Sequence, residues 1–377
     1  MHYIFILGRN VKLSQAEIFS YFKKENLKIL NYSLRKNALL IETDVEIGNI
    51  IDNLGGTLSI GEVIVSGEMN SLIKNLDKKE LYFGTKNKLN YILWNFSDEN
   101  SKNVISDYLK KRFRNEKLKA TEKHLSGFMD LQEKDSAKII SSKKLVDEQF
   151  FLFENKKEYF FGKIIQKCDY ETIEKRDMNK PVRRQELAIS PRLAKIMINL
   201  SEVKKNERLL DPFCGIGVIL EESLFQNIKV VGIDKDKNAI SGANKNLNWF
   251  KFEKENYKLI NGDSRNVNPG KCNALVTEPY LGDILKKVPT REKANEILRE
   301  FEKLIIFVIN NLKKNVSGKI VFTAPFIKTI KERVSCNIEN ILKNTGLKII
   351  KINNIGFPIE EFRKGQIIGR EIFVLEN

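Results

Sequence analysis

The sequence predicts an α/β protein: a doubly wound sheet in the carboxyl-terminal half, preceded by two smaller α+β units. Three observations carry this. From about Arg192, strand-like and helix-like stretches alternate regularly. The first three strands of that region lead into Asp211, Asp234 and Asp263. All eight prolines lie from Pro181 onward, a shift in composition that marks a domain boundary.

The first unit, residues 1–70, opens on a strand at Tyr3–Leu7, followed by Gly8-Arg9-Asn10. Ser14 is placed to cap a helix from near Gln15 to about Glu25, with Glu17 completing a capping box. Strands at Lys28–Leu34 and Ala38–Thr43, a helical stretch at Ile47–Leu54 and a strand at Glu62–Ser66 complete a ferredoxin-like order. The second unit, residues 71–166, has a strand at Asn90–Phe96 and a helix at Ser101–Lys111. Further strands are expected at Lys138–Ser141, Gln149–Glu154 and Glu158–Gln166. Residues 167–191 form a charged connector with little periodicity. The doubly wound region, residues 192–377, has strands expected at Arg208–Leu210, Lys229–Ile233, Tyr257–Ile260, Ala274–Thr277, Lys319–Thr323, Lys348–Ile352 and Glu371–Leu375.

A length of 377 residues suits two or three domains, and 42% hydrophobic residues suffice for real cores. No apolar run is long enough to cross a bilayer, and Met1 to Leu7 lacks the features of a signal peptide, so the expected location is cytoplasmic. The formal charge of +16 favours a polyanionic partner, nucleic acid first, against the plainer reading of a lysine-rich composition. Cys168, Cys214, Cys272 and Cys336 are scattered, and His2 and His124 are the only histidines. Metal sites, disulfide frameworks and histidine-based triads are therefore not expected. Chemistry must rest on carboxylates, backbone groups and a cofactor.

The strand at Leu209-Leu210 ends in Asp211, and the loop through Phe213, Cys214, Gly215 and Gly217 enters an apolar helix. Glycines there permit close approach of a ligand to the backbone. Asp234 ends the next strand, where a ribose-binding carboxylate sits in nucleoside-binding sheets. Asp263, beside Ser264, ends the third and could accept from an adenine amine. Each acid alone reads as a turn residue; the ordered set points to one crevice. NAD fits less well, because the third glycine of G-x-G-x-x-G is replaced at Leu220 or Glu221 and because Asp211 would repel a pyrophosphate. Asp211 suits the cationic end of S-adenosylmethionine.

The fourth strand runs into Thr277-Glu278-Pro279-Tyr280. This segment resembles the Asp/Asn-Pro-Pro-Tyr motif of amino-methyltransferases, with Glu278 or Thr277 in the acid's place according to the alignment. The favoured assignment is Glu278 as acceptor for the amine, Pro279 beside it, and Tyr280 as the ring facing the base. Residues Ile6–Asn10, Leu13-Ser14, Ala16-Glu17, Gly162-Lys163, Asp169-Tyr170, Ser190–Ala194, Asn246-Leu247 and Arg370-Glu371 extend the likeness. Together they resemble the THUMP-containing tRNA guanine-N2 methyltransferases. The resemblance implies a ferredoxin-like domain, a THUMP domain over 71–166 and a Rossmann-like methyltransferase domain. It also implies methylation of guanine N2 in tRNA, at guanine 10 for this branch.

Lys110, Lys111, Arg112, Arg114, Arg183 and Arg184 are the cations expected to meet RNA phosphates; the alternative is a solvated helix face. Two other function classes stay open: an inactive RNA-binding module retaining the cofactor fold, and a DNA amino-methyltransferase. An activator subunit or a homo-oligomer is also left open.

Overall fold

The computed structural model describes residues 1–123, 146–183, 189–282, 285–363 and 365–377; the strand expected at Lys138–Ser141 and the cation Arg184 lie outside the described residues. Two compact units are present. One holds Met1–Val11, Leu27–Asp52 and Gly56–Glu174; the other holds Lys12–Asn26, Asn53–Gly55 and Lys175–Asn377.

In chain order the first part contains β1 (His2–Leu7), α1 (Val11–Lys24), β2 (Ile29–Arg35), β3 (Ala38–Thr43), β4 (Thr57–Gly67), α2 (Met69–Leu76), β5 (Lys88–Phe96), α3 (Glu99–Asn115), β6 (Lys119–Glu122), β7 (Glu148–Asn155) and β8 (Glu158–Lys167). The eight strands form one sheet in the order β2-β3-β1-β4-β8-β7-β5-β6. Successive side chains of a strand point to opposite faces. In β7, Phe150 and Leu152 accordingly pack with Leu72 and Leu76 of α2 and Ile105, Leu109 and Phe113 of α3, while Phe151 and Phe153 pack with Ile4, Ile6 and Trp94.

The boundary expected near residue 70 is not a break in this sheet, because β4 pairs with β1 on one side and β8 on the other. Pairing between strands far apart in sequence leaves no local signature. The helical stretch expected at Ile47–Leu54 is only a 3-10 turn, Ile51–Asn53. Gly48 and Gly55-Gly56 bracket it, and glycine is a poor helix former. The capping box is also corrected: α1 begins at Val11, so Ser14 and Glu17 lie inside it, both buried. The Glu17 carboxylate instead accepts from the Gly55 backbone N–H at 2.7 Å and from Asn199 Nδ2 at 2.8 Å.

The later elements are α4 (Tyr170–Asn179), α5 (Pro191–Leu200), β9 (Arg208–Asp211), α6 (Val218–Phe225), β10 (Lys229–Asp234), α7 (Lys237–Trp249), β11 (Tyr257–Asn261), β12 (Ala274–Thr277), α8 (Arg291–Leu312), β13 (Ile320–Lys328), β14 (Arg333–Ser335), α9 (Ile338–Thr345), β15 (Lys348–Ile349), β16 (Lys351–Ile352), β17 (Ile355–Gly356), β18 (Ile359–Glu361) and β19 (Ile368–Glu376). The sheet runs β11-β10-β9-β12-β13-β19-β15. Its first five strands are parallel, and β19 is antiparallel to both neighbours. The strand expected over Lys348–Ile352 divides, because β16 turns away to pair with β17 across Asn353-Asn354. Both asparagines adopt positive φ, as a tight hairpin requires.

The connector, expected to have little periodicity, is helical over part of its length. It contains α4, and two of its cations are tied to α6: Lys180 meets Glu221 at 3.1 Å, and also Asp177 of α4 at 2.8 Å, while Arg176 meets Glu222, which Lys195 of α5 approaches at 3.8 Å. Glu221 and Glu222 are buried in α6, so Arg176 and Lys180 of the connector serve as their counter-ions.

Candidate active site

The strand order of the second sheet reverses at β9, with β10 on one side and β12 on the other. Ligands of open α/β sheets bind outside the carboxyl ends of the strands at such a point. The loop between β9 and α6 lies there. Gly215 has φ +52°, and open space surrounds the position a Cβ would take. Gly217, at φ +95°, caps α6 in a left-handed conformation that a side chain would strain. The loop is anchored at three points: Gly215 N–H donates to Asp234 Oδ2 at 2.9 Å, Cys214 N–H to the Ile233 carbonyl at 2.9 Å, and Ser264 Oγ to the Pro212 carbonyl at 2.6 Å.

Asp211 is 1% exposed. Its Oδ1 accepts from Thr277 Oγ1 at 2.6 Å and from Phe213 N–H at 3.1 Å. Its Oδ2 accepts no hydrogen bond from the described residues. Burial pushes the carboxyl up to about 7, opposed by those two hydrogen bonds and reinforced by the charges of Asp234 and Glu278. Asp234 accepts from Gly215 N–H and, through Oδ1, from Asp236 N–H at 2.8 Å. A carboxylate has about four acceptor positions, so each of these acids keeps capacity for a ligand.

The two residues at the end of β12 engage different partners. Thr277 donates to Asp211, and Glu278 is paired with Arg370 of β19 through Nε to Oε1, with Nη2 at 3.4 Å from Oε2. Tyr280 follows at 54% exposure. One strand end thereby links the acid of the glycine loop to the acid expected to meet a substrate amine.

Other expected site residues have neighbours of their own. Asp263 is forked by its near neighbour Arg265, whose hydrogen bonds hold the carboxyl below its usual range. Cys214 is buried against Gly232, and Phe213, partly exposed, packs beside the sheet core. In the first unit Lys110, Lys111 and Arg114 are exposed on α3. Arg112 corrects the expectation of a phosphate contact. Its side chain is 12% exposed, pairs with Glu116 at 2.8 Å and donates to the carbonyls of Leu76 and Lys79 at the end of α2. Arg183 is half-buried in the connector.

Residues that the sequence did not mark as functional also shape the site. Asn246 donates to the carbonyls of Val182 and Ile216 and accepts from Val182 N–H, joining the connector to the glycine loop. Asn261 Nδ2 holds the carbonyls of Asp234 and Lys235. Arg370 drew notice only through the family likeness. Among the described residues no cluster of three or more His, Cys, Asp or Glu is arranged to hold a metal ion, and no helix is long and apolar enough to cross a membrane.

Residues 179–306 match the UPF0020 family, described as an RMKL-like methyltransferase domain. The tRNA (guanine(10)-N2)-dimethyltransferase of Methanothermobacter thermautotrophicus is 37% identical over 115 residues, covering 30% of this chain and 33% of that protein. The chain thus spans about a third of that relative's length. The Probable tRNA (guanine(10)-N2)-dimethyltransferase of Methanothermococcus thermolithotrophicus is 32% identical over 120 residues, covering 26% of this chain and 74% of that protein. The crystal structure of TrmN from Thermus thermophilus covers 100% of both chains with a TM-score of 0.54 at 11% identity, a likeness of fold. At 32% identity to the Methanothermococcus protein, of which it covers 74%, the chain belongs to the family of these archaeal proteins named tRNA (guanine(10)-N2)-dimethyltransferase.

Proposed function

We propose that this chain methylates an exocyclic amine in RNA, N2 of guanine in tRNA, with S-adenosylmethionine as the methyl donor and guanine 10 as the position. The observation that carries the reading is the strand-end constellation. A buried Asp211 with a spare oxygen, a glycine loop anchored on Asp234, and Glu278-Pro279-Tyr280 on the adjoining strand share one end of one sheet.

When bound, the cofactor supplies an electrophilic methyl group on a sulfonium. Asp211 would hold its cationic end, Asp234 its ribose hydroxyls, and Asp263, with Arg265, its adenine side. The amine of guanine is a weak nucleophile because its lone pair is delocalised into the ring. Glu278 accepts a hydrogen from that amine and turns the lone pair out of conjugation, and the exposed Tyr280 ring offers a stacking face to the base. The rest is positioning and electrostatics. The amino-terminal residues, read as ferredoxin-like (1–70) and THUMP-like (71–166) halves of one sheet, select the RNA, and the protein works in the cytoplasm.

The test is transfer of labelled methyl from the cofactor to a tRNA transcript and to its variant with adenine at position 10, with the product nucleotide mapped by mass spectrometry. Label in the guanine form alone is expected. Transfer to DNA but not tRNA, or cofactor binding without transfer to any nucleic acid, overturns the reading.

Neutralising Lys110, Lys111 and Arg114 together is expected to weaken tRNA binding and to reduce the slope of log affinity against log salt by about one for each phosphate no longer neutralised. An unchanged slope in a filter-binding titration returns these residues to a solvated face. Arg112 is left out because its carbonyl contacts would make its removal a folding defect.

A further inference from the structure

We infer that Arg370 is the positioning residue of the transfer step, holding Glu278 at the end of β12 so that one carboxylate oxygen is left for the substrate amine. The inference rests on the reading of Glu278 as acceptor for that amine. Its own support is geometric. Arg370 stands on β19 opposite Pro325 of β13 and Glu361 of β18, so its backbone is held from both sides. Its guanidinium reaches Glu278 through Nε to Oε1, with Nη2 at 3.4 Å from Oε2. The Glu278 side chain is 8% exposed and that of Arg370 24%, so the pair is largely withdrawn from water.

These contacts leave the two carboxylate oxygens unequal. Oε1 is engaged by a charge-assisted hydrogen bond. Oε2 lies at the outer limit of one and keeps its acceptor capacity. A neutral amine needs only such an acceptor. Its nitrogen lone pair forms the new N–C bond as the C–S bond breaks, and one nitrogen proton then leaves along the hydrogen bond to Oε2. Unheld, a glutamate side chain samples several rotamers, and here it also faces the repulsion of the Asp211 carboxylate, on which it already acts electrostatically. A planar fork from a fixed strand removes both problems; an ammonium in its place would supply charge without the fork.

The experiment uses the full chain with the variants Glu278→Gln, Arg370→Ala, Arg370→Lys and the double variant Glu278→Gln/Arg370→Ala. It records kcat and KM on tRNA, calorimetric binding of S-adenosylhomocysteine, and melting temperature. Arg370→Ala is expected to lower kcat by about 10²-fold, with KM and product affinity nearly unchanged. Arg370→Lys should recover part of the loss, and the double variant should be no slower than Glu278→Gln alone, since both changes remove one device. A slow Glu278→Gln beside a normal Arg370→Ala overturns this inference and leaves the reading of Glu278 standing. A normal Glu278→Gln overturns that reading itself. Multiplicative losses in the double variant assign Arg370 a separate role and overturn the inference. If Arg370→Ala fails to fold, folded Arg370→Lys decides: lowered kcat at unchanged product affinity supports the inference, and wild-type kcat overturns it.

Discussion

Asp211→Asn is expected to raise the melting temperature of the ligand-free protein at neutral pH while weakening its affinity for the cofactor. The carboxyl is buried and pushed up to about 7 by desolvation, with Asp234 and Glu278 adding to the effect. Its folded value therefore lies above that of the unfolded chain, near 3.8. Between those two values the folded protein binds more protons, so stability falls as pH rises from about 4 to about 7. Asparagine keeps an oxygen for Thr277 and Phe213 and carries no charge to desolvate. The gain at pH 7 should be on the order of 2–4 kcal/mol, taking about 1.4 kcal/mol per unit of pKa displaced. The charge has a use once a cation arrives. The cationic end of the cofactor favours the ionised acid, so wild-type affinity should climb as pH rises through about 7, and Asp211→Asn should abolish that climb. Thermal melts from pH 5 to 8, with calorimetry on S-adenosylhomocysteine, measure both. Equal pH slopes in wild type and variant would show that Asp211 carries no such strain.

Asn199→Leu is expected to cost about 3–5 kcal/mol of stability, the range for breaking a buried charged network by removing one partner. Asn199 is fully buried and serves two charges at once. Its Nδ2 donates to Glu17 Oε1 at 2.8 Å and to the Asn53 carbonyl at 2.8 Å, and its Oδ1 accepts from Lys24 Nζ at 2.8 Å. Leucine fills much of the same space but leaves Glu17 with Gly55 and Lys24 with Gln226 as their remaining hydrogen-bond partners from this network. Burial already lowers the Lys24 ammonium to about 8, so it has little solvation to fall back on. Urea unfolding should show the midpoint moving down with the slope unchanged. A loss below about 1 kcal/mol would mean the network is slack.

How much of this was legible depends on the range over which each feature is set. The parallel strands β9 to β12 were legible because short apolar runs between turn residues carry a local period. The ends of β2, β3 and β7 were also near their expected places. The S-x-x-E pattern at Ser14 is no capping box because it fits two environments: a solvated helix start, and the interior of a helix whose glutamate meets a distant asparagine. The role of charge in the connector is not legible locally for a similar reason. Lys180 and Arg176 look like surface residues until Glu221 and Glu222 are seen to be buried opposite them.

Local sequence specifies the alternation of strands and helices, the glycine loop after Asp211, and the acids Asp211, Asp234, Asp263 and Glu278 at or just beyond strand ends. Propensity, turn chemistry and period act over a few residues. What each acid meets is set by the folded arrangement: Thr277 for Asp211, the Gly215 amide for Asp234, Arg265 for Asp263 and Arg370 for Glu278. All but one of these partners are brought together by sheet pairing between residues remote in sequence. A carboxylate's role depends on that partner and on burial, neither of which is written at its own position in the chain.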